Sequence, residues 1–226
     1  MPLHVDVWLP ARDTTTAKMT SMDHVFYSFP GERPTETITE GHGMYLHADN
    51  GRKFLDFTAG STHNSIIGFN NEAVVAEIAT QLRKVSNIDF KSWIDANRSE
   101  LAALIASQAP AGLSKVFYAG QSGSEACEAA LQLSFQAHYE RGVKSKTHFI
   151  SRRESYHGAT INSMVCGDRK HLGYMEALWP SNHVKVPEHD PLHRPAEGET
   201  PDEYLERSVG EFQAAVDEVG AERVAA

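Results

Sequence analysis

Cysteine is scarce in this sequence. Cys127 and Cys166 are the only two in 226 residues, too few for a disulfide framework and without the CxxC spacing of a zinc site. Both read as reduced thiols, which suits a cytoplasmic protein. Apolar runs are also short, none approaching the roughly 20 residues that a membrane-spanning helix needs. The first residues, "MPLHVDVWLPARD", have no basic stretch leading into an apolar core, so no signal peptide is read there. Basic residues are in deficit, 21 Lys and Arg against 30 Asp and Glu. The net charge of −9 argues against a nucleic-acid footprint, which shows basic clustering. What is present, 41% hydrophobic residues, suffices for one large domain or one domain with a small appendage. Histidine is frequent, but His189 and His193 of "HDPLHRP" lie in a Pro-rich polar stretch and read as solvated loop residues rather than metal ligands.

Residues 1–34 show weak periodicity and read as an irregular arm whose apolar residues, Phe26 and Tyr27 among them, pack elsewhere. "GMYLHADNGRKFLDF" alternates apolar and polar residues on both sides of Asp49-Asn50-Gly51, which predicts a hairpin over about 43–57. From Asn70 the period changes to 3.6, with Val74, Ile78, Leu82 and Val85 on one helical face. A second helix is expected over about 97–108, with Leu101, Leu104 and Ile105 as its apolar side. "SKVFYAG" reads as a buried strand, followed by a long helix. The cycle then repeats: "THFISRR" a strand, "YHGATINSMV" a short helix, "HVKVP" a strand. The last helix is expected over 201–219, capped by Thr200, with Pro201 in its first turn and Glu203 completing a capping box. Leu205, Val209, Phe212 and Val216 would form its buried face. Strands alternating with helices indicate an α/β layer built on a largely parallel sheet.

Two turns carry candidate chemistry. "AGQSGSEA", residues 119–126, runs from a strand through glycines into a helix. Such a turn aims free backbone N–H groups and the positive end of a helix dipole at one point, where phosphate binds well. Ser122 reads as the cap and Glu125 as its capping-box partner; Gly123 admits close approach and Ser124 adds a hydroxyl. The same pattern opens many helices that bind nothing, and it matches neither GxxxxGK[ST] nor GxGxxG. The second turn is "SYHGAT", residues 155–160, after the next strand. Parallel strands end along one edge, so both turns should open onto the same crevice. There Tyr156 could stack on a flat ring and His157 could offer a polar contact.

These blocks, in this order, resemble the class III aminotransferases, pyridoxal-phosphate enzymes of the ornithine- and 4-aminobutyrate-aminotransferase-like group with the type I fold. "GHGMYLHADNGRKFLDFTAG" resembles the family's N-terminal hairpin, "SGSEACEAA" its phosphate-binding helix start, and "SYHGATINSMVCGD" the segment with the ring-stacking aromatic. The resemblance spans about residues 35–226. It implies an N-terminal arm and hairpin in residues 1–58, belonging to a small domain. Residues 59–226 would be the first part of a large cofactor-binding domain, a mostly parallel sheet with helices on both faces. It implies pyridoxal 5'-phosphate as cofactor, its phosphate on Gly123 and Ser124 with Ser122 adjacent, its ring on Tyr156 with His157 beside it. Ser61, Thr62 and His63 of "GSTHNSIIG" would approach the substrate. Substrates would be an amine or ω-amino acid and a 2-oxo acid, and the assembly a homodimer without nucleic acid or membrane. Gln121, Cys127, Phe69, Gln132 and Phe135 depart from the family's usual residues.

The chemistry needs a lysine to bond the cofactor and an acid beside the pyridine nitrogen. The resemblance implies that both lie C-terminal to these residues, so no lysine of this chain is assigned a catalytic role. "AERVAA" looks like the start of another strand, which leads to the expectation that these residues are the N-terminal portion of a longer protein. Readings left open are an aminomutase, racemase or decarboxylase of the same fold, or a non-catalytic binding module.

Overall fold

A computed structural model describes residues 35–60, 63–89, 91–168, 177 and 180–226. The chain separates into two compact units, one through Asp95 and one from Ala96. Phe26, Tyr27, Ser61 and Thr62 lie outside the described residues.

In the N-terminal unit the expected hairpin is two strands of a three-stranded antiparallel meander, β1 (Ile38–His42), β2 (Tyr45–Ala48) and β3 (Lys53–Leu55). β1 escapes the alternation argument because "ITEGH" holds a single large apolar residue and its pairing with β2 is irregular between Ile38 and Glu40. Between β2 and β3 the chain reverses through Asp49-Asn50-Gly51, where Gly51 takes φ 82° and its N–H donates to Ala48 O at 3.0 Å. The Asn50 amide ties the turn inward, accepting from Arg52 N at 3.1 Å and donating to Glu36 at 2.7 Å. Gly43 and Phe69 exchange backbone hydrogen bonds of 3.0 and 2.6 Å. A side chain on Gly41 would meet the Phe69 ring at 2.8 Å, so that position must be small. Helix α1 (Glu72–Lys84) starts on Asn71, whose side chain accepts from Val74 N. Its apolar stripe exists, but Val74, Ile78 and Leu82 are exposed rather than packed.

The C-terminal unit carries α2 (Ala96–Gln108), α3 (Gly123–Glu140), β4 (Phe149–Arg152), α4 (Ile161–Gly167), β5 (His183–Val186) and α5 (Pro201–Val219). β4 and β5 pair in parallel, Phe149 opposite His183 through Arg152 opposite Val186. The N–H groups of Phe149 and Arg153 reach toward β5, while those of His148 and Ile150 reach Arg223 and Ala226. The "AERVAA" segment therefore runs parallel along the opposite edge of β4, bridged at His148 and Val224. α4 packs on β4 and α5 on β5, around buried Phe149, Val165, Cys166, Val186, Tyr204 and Ala215.

Three expectations need correction. Residues 114–120 form no β-ladder among the described residues, because a strand needs a partner and none is hydrogen-bonded there. Instead the Tyr118 hydroxyl donates to Arg98 O of α2 at 2.8 Å and the Arg98 guanidinium lies 4.5 Å from its ring centre. The helix read over "YHGATINSMV" begins only at Ile161; Gly158 has φ 134°, which no helix accommodates. Leu205, Val209 and Phe212 of α5 are exposed, and Tyr204 and Ala215 are the buried residues. The apolar side of α2, Leu101, Leu104 and Ile105, is exposed likewise.

Tyr204 is 2% exposed; its hydroxyl accepts from Asp190 N at 2.7 Å and its ring stacks on His189 at 5.1 Å. His189 stacks one face on Tyr204 and stays exposed, while His193 bonds Asp190 at 2.7 Å. Above Tyr204, Arg194 and Arg207 share Glu211, and Arg207 also grips Glu199 with two nitrogens at 2.8 and 2.9 Å.

Candidate functional site

The 119–126 turn forms as its residue types demand, with one difference. Ser122 is extended, φ −141° and ψ 158°, and its hydroxyl accepts from Glu125 N at 3.3 Å, starting α3. The Glu125 carboxylate does not close a reciprocal box on Ser122 N. It accepts from Gln121 N at 2.7 Å and from the Ser122 hydroxyl at 3.2 Å. A Cβ on Gly120 would lie 2.5 Å from that carboxylate, so glycine makes the room. Ser122 and Glu125 thereby satisfy each other. The amides of Gly123 and Ser124, in the first turn, have no acceptor within the helix. A Cβ placed on Gly123 would meet nothing within 4 Å. The result is an open helix start: its first amides have no acceptor within the helix, and the side-chain position of Gly123 faces free space.

The second turn comes directly against it. Ala159 N donates to the Ser124 hydroxyl at 2.9 Å. A Cβ on Gly158 would lie 2.6 Å from both Ser124 Oγ and Ser163 Oγ and 2.8 Å from Ser124 Cα. With the positive φ, this makes residue 158 a glycine by necessity. Accepting from Ala159 leaves the Ser124 O–H as a donor for a further acceptor. Tyr156 is 63% exposed, and His157 is exposed beside it.

The far side of this turn is pinned as well. Ser155 N donates to Gly167 O at 2.7 Å, and Arg153 pairs with Asp168 at 3.0 Å at the αL residue that ends α4. Lys185 of β5 donates to Ser151 Oγ at 2.9 Å and to Val165 O, joining the last turn of α4 to both strands. Burial pushes the Lys185 amine below its ordinary value, against the pull of Asp168 and Cys166. Cys166 lies beside His183 at 3.7 Å, and burial raises its thiol, which makes it a core group rather than a nucleophile.

Of the expected site residues, the structure brings Ser124 to the turn that carries Tyr156 and His157, with Ser122 and Gly123 adjacent in the same helix start. His63 belongs to the N-terminal unit, exposed and in the left-handed region at φ 62°. Sequence reasoning missed Glu128, Asn162 and Ser163. Ser163 is fully buried and closes a capping box with Thr160, the Thr160 N–H donating to Ser163 Oγ at 3.0 Å. The T-x-x-S spacing was its available signal. Glu128 accepts from the Asn162 side chain at 2.9 Å across 34 residues, which no local pattern announces. Among the described residues no group of acidic, His or Cys side chains is arranged to hold a metal ion.

Known proteins resemble the chain over this whole region. An uncharacterized aminotransferase of Schizosaccharomyces pombe is 29% identical over 214 residues, 94% of this chain and 46% of that protein. The putrescine–pyruvate aminotransferase of Pseudomonas aeruginosa is 30% identical over 207 residues, 88% of this chain and 43% of that one. Among solved structures, the PMP-bound form of an aminotransferase from Vibrio fluvialis superposes with a TM-score of 0.84 at 23% identity, covering 92% of this chain and 48% of that one. The architecture is therefore the type I transaminase fold in its N-terminal part, and the chain spans about half the length of the relatives it matches. The profile of the family described as "Aminotransferase class-III" matches residues 27–226, more than half of the chain, and the chain belongs to that family.

Proposed function

We propose that this chain holds the phosphate and ring of pyridoxal 5'-phosphate for an aminotransferase that moves an amino group from an amine or ω-amino acid to a 2-oxo acid. The observation that carries the reading is the hydrogen bond from Ala159 N to Ser124 Oγ, 2.9 Å, with Gly158 seated on Ser124. It joins an anion-binding helix start to an exposed aromatic turn, and a phosphorylated aromatic ring needs both.

The residues present fit such a group. Open space before Gly123 would admit a phosphate to the amides of Gly123 and Ser124 and to the Ser124 hydroxyl. The 18-residue length of α3 supplies a full helix dipole behind them. Tyr156 would present its face to the pyridine ring, and His157 would approach the ring's edge. When bound, the cofactor supplies an electron sink for the carbon that bears the amino group. This chain's part is to hold the phosphate, orient the ring plane and shield one face of it. No lysine is assigned to the reaction in these residues.

On the same reading, residues 1–58 fall to a small domain and 59–226 to the cofactor domain, Ser61, Thr62 and His63 face the substrate, and the protein is a cytoplasmic homodimer. The acidic balance, −9, supports a small-molecule rather than a nucleic-acid partner. None of the described helices is long and apolar enough to cross a membrane.

The test is titration of the chain with pyridoxal 5'-phosphate, followed by cofactor absorbance and tyrosine fluorescence, then borohydride reduction and mapping of lysines. Saturable binding that inorganic phosphate competes away, with no single lysine labelled stoichiometrically, is expected. Absence of binding, or one stoichiometric activity-linked lysine, would overturn the reading.

A further inference from the structure

The proposed cofactor site is made from two turns on different elements, and one acidic side chain fastens them. Ser124 and Glu128 are four residues apart on α3 and therefore lie on one face of it. The first accepts from Ala159 N at 2.9 Å and the second from Asn162 Nδ2 at 2.9 Å, so two parallel contacts straddle Thr160, the N-cap of α4. Burial works to raise the Glu128 carboxyl. It is nevertheless held below its ordinary value by hydrogen bonds from the Thr160 and Asn162 side chains and from the backbone of Asn162 and Ser163. A carboxylate from one helix thus takes the donors at the start of another, and hydrogen bonds to a charged acceptor are the stronger kind. Glu128 is too far along α3 to belong to the first turn that would meet a phosphate.

We infer that Glu128 is a positioning residue: its contact with Asn162 sets the Tyr156 turn at a fixed distance from the phosphate-binding start of α3. The inference rests on the cofactor reading above. It separates two ligands. Inorganic phosphate needs only the first turn of α3, whereas pyridoxal 5'-phosphate spans both turns and feels their spacing. Loosening the contact should therefore weaken the second ligand and spare the first.

The experiment compares the unaltered chain with Glu128→Ala, Asn162→Ala, the double variant and Glu128→Gln. Pyridoxal 5'-phosphate binding is read by fluorescence, inorganic phosphate binding by phosphorus NMR, and folding by the thermal midpoint. Each alanine variant should raise the Kd for pyridoxal 5'-phosphate about tenfold and leave that for inorganic phosphate unchanged. The double variant should be no worse than Glu128→Ala alone, because the bond lost with Asn162→Ala is one of those already lost with Glu128. Glu128→Gln, which keeps an acceptor, should recover much of the affinity. Proportional weakening of both ligands, unchanged affinity for both, or additive losses in the double variant would overturn the positioning role; should Glu128→Ala fail to fold, Asn162→Ala and Glu128→Gln decide by the same criteria. An unaltered chain that binds inorganic phosphate but not pyridoxal 5'-phosphate instead overturns the cofactor reading itself.

Discussion

Two helices in this chain begin with the same sequence signature and build different objects from it. α5 starts Thr200-Pro201-Asp202-Glu203, and α3 starts Ser122-Gly123-Ser124-Glu125. In α5 the box closes on itself: Glu203 accepts from Thr200 N and from the Thr200 hydroxyl at 2.8 Å, and Thr200 Oγ1 accepts from Glu203 N at 3.3 Å. Proline at N1 has no N–H to leave over. In α3 the glutamate reaches one residue further out, to Gln121 N, and glycine at N1 keeps its N–H and leaves the approach empty. One start is sealed and serves stability; the other is open and can serve a ligand. The difference comes from the N1 residue and from where the N3 carboxylate goes, more than from the cap itself.

The largest effect on this contrast should come from Gly158→Val. The Cβ would press on Ser124 Cα at 2.8 Å, a backbone atom that cannot turn aside, and φ 134° is foreign to a branched residue. Unfolding free energy should fall by about 3 kcal/mol, and pyridoxal 5'-phosphate binding should disappear, while a variant at the sealed start leaves binding intact. Denaturant titration and cofactor titration of the same sample check both halves. Next in size is the pair Ser124→Ala and Thr200→Ala. Each should lower stability by about 1 kcal/mol, the first by orphaning Ala159 N and the second by uncapping α5. Only Ser124→Ala should weaken the cofactor, about tenfold; equal binding by the two would erase the functional distinction between the starts.

How much of this could be read beforehand follows from how local each interaction is. Thr200, Pro201 and Glu203 act within one turn, and the α5 bounds read from them coincide with Pro201–Val219. The Asn50-Gly51 reversal is equally local, and it carried β2 and β3 but not β1, whose irregular pairing leaves no alternation. Residues 114–120 failed as a strand because apolar content says nothing of a partner. The α5 stripe of Leu205, Val209 and Phe212 was correctly apolar, yet the helix packs on β5 with Tyr204 and Ala215 as its buried residues instead. Periodicity finds a face without saying what covers it. Within the candidate site, Ser122 was legible as a helix cap from the order of its residues, and the Tyr156 turn as one that follows the next strand and opens beside it; the bond from Ala159 N to Ser124 Oγ brings the two turns together. The Glu128–Asn162 contact joins residues 34 apart, and only the fold brings them together.

A smaller and cleaner change turns the open start into a copy of the sealed one. Gly123→Pro places at N1 the residue that α5 uses, and Ser122 already has the extended φ −141° and ψ 158° that a residue before proline prefers. Nothing lies within 4 Å of the new Cβ. The thermal midpoint should hold or rise slightly, since proline restricts the unfolded chain. Affinity for both pyridoxal 5'-phosphate and inorganic phosphate should drop roughly fivefold for the lost N–H donor. A fall in stability with no change in phosphate affinity would mean that the Gly123 amide points elsewhere.

The weakest effect belongs to the charge network over α5. The Glu199 carboxyl is held at about 2, against an ordinary 4.5, first by the Arg207 guanidinium and then by Ala196 N. A carboxyl lowered on folding is more easily protonated in the unfolded chain, so stability rises with pH across the interval between the two values. Its contribution is complete above about 4.5 and fades as the pH falls from there toward about 2. The Glu199 side chain is 11% exposed, but its partner Arg207 is 36% exposed, so the pair is partly screened, which keeps the effect small at neutral pH. Thermal midpoints of the unaltered chain and Glu199→Gln should therefore converge as the pH is lowered from 5 to 2 and differ by a small constant above 5. Ligand affinity should be the same in both at every pH where they are folded, because the network sits on the sealed start and not on the open one. A parallel loss of phosphate binding in Glu199→Gln would show that the two helix starts are coupled.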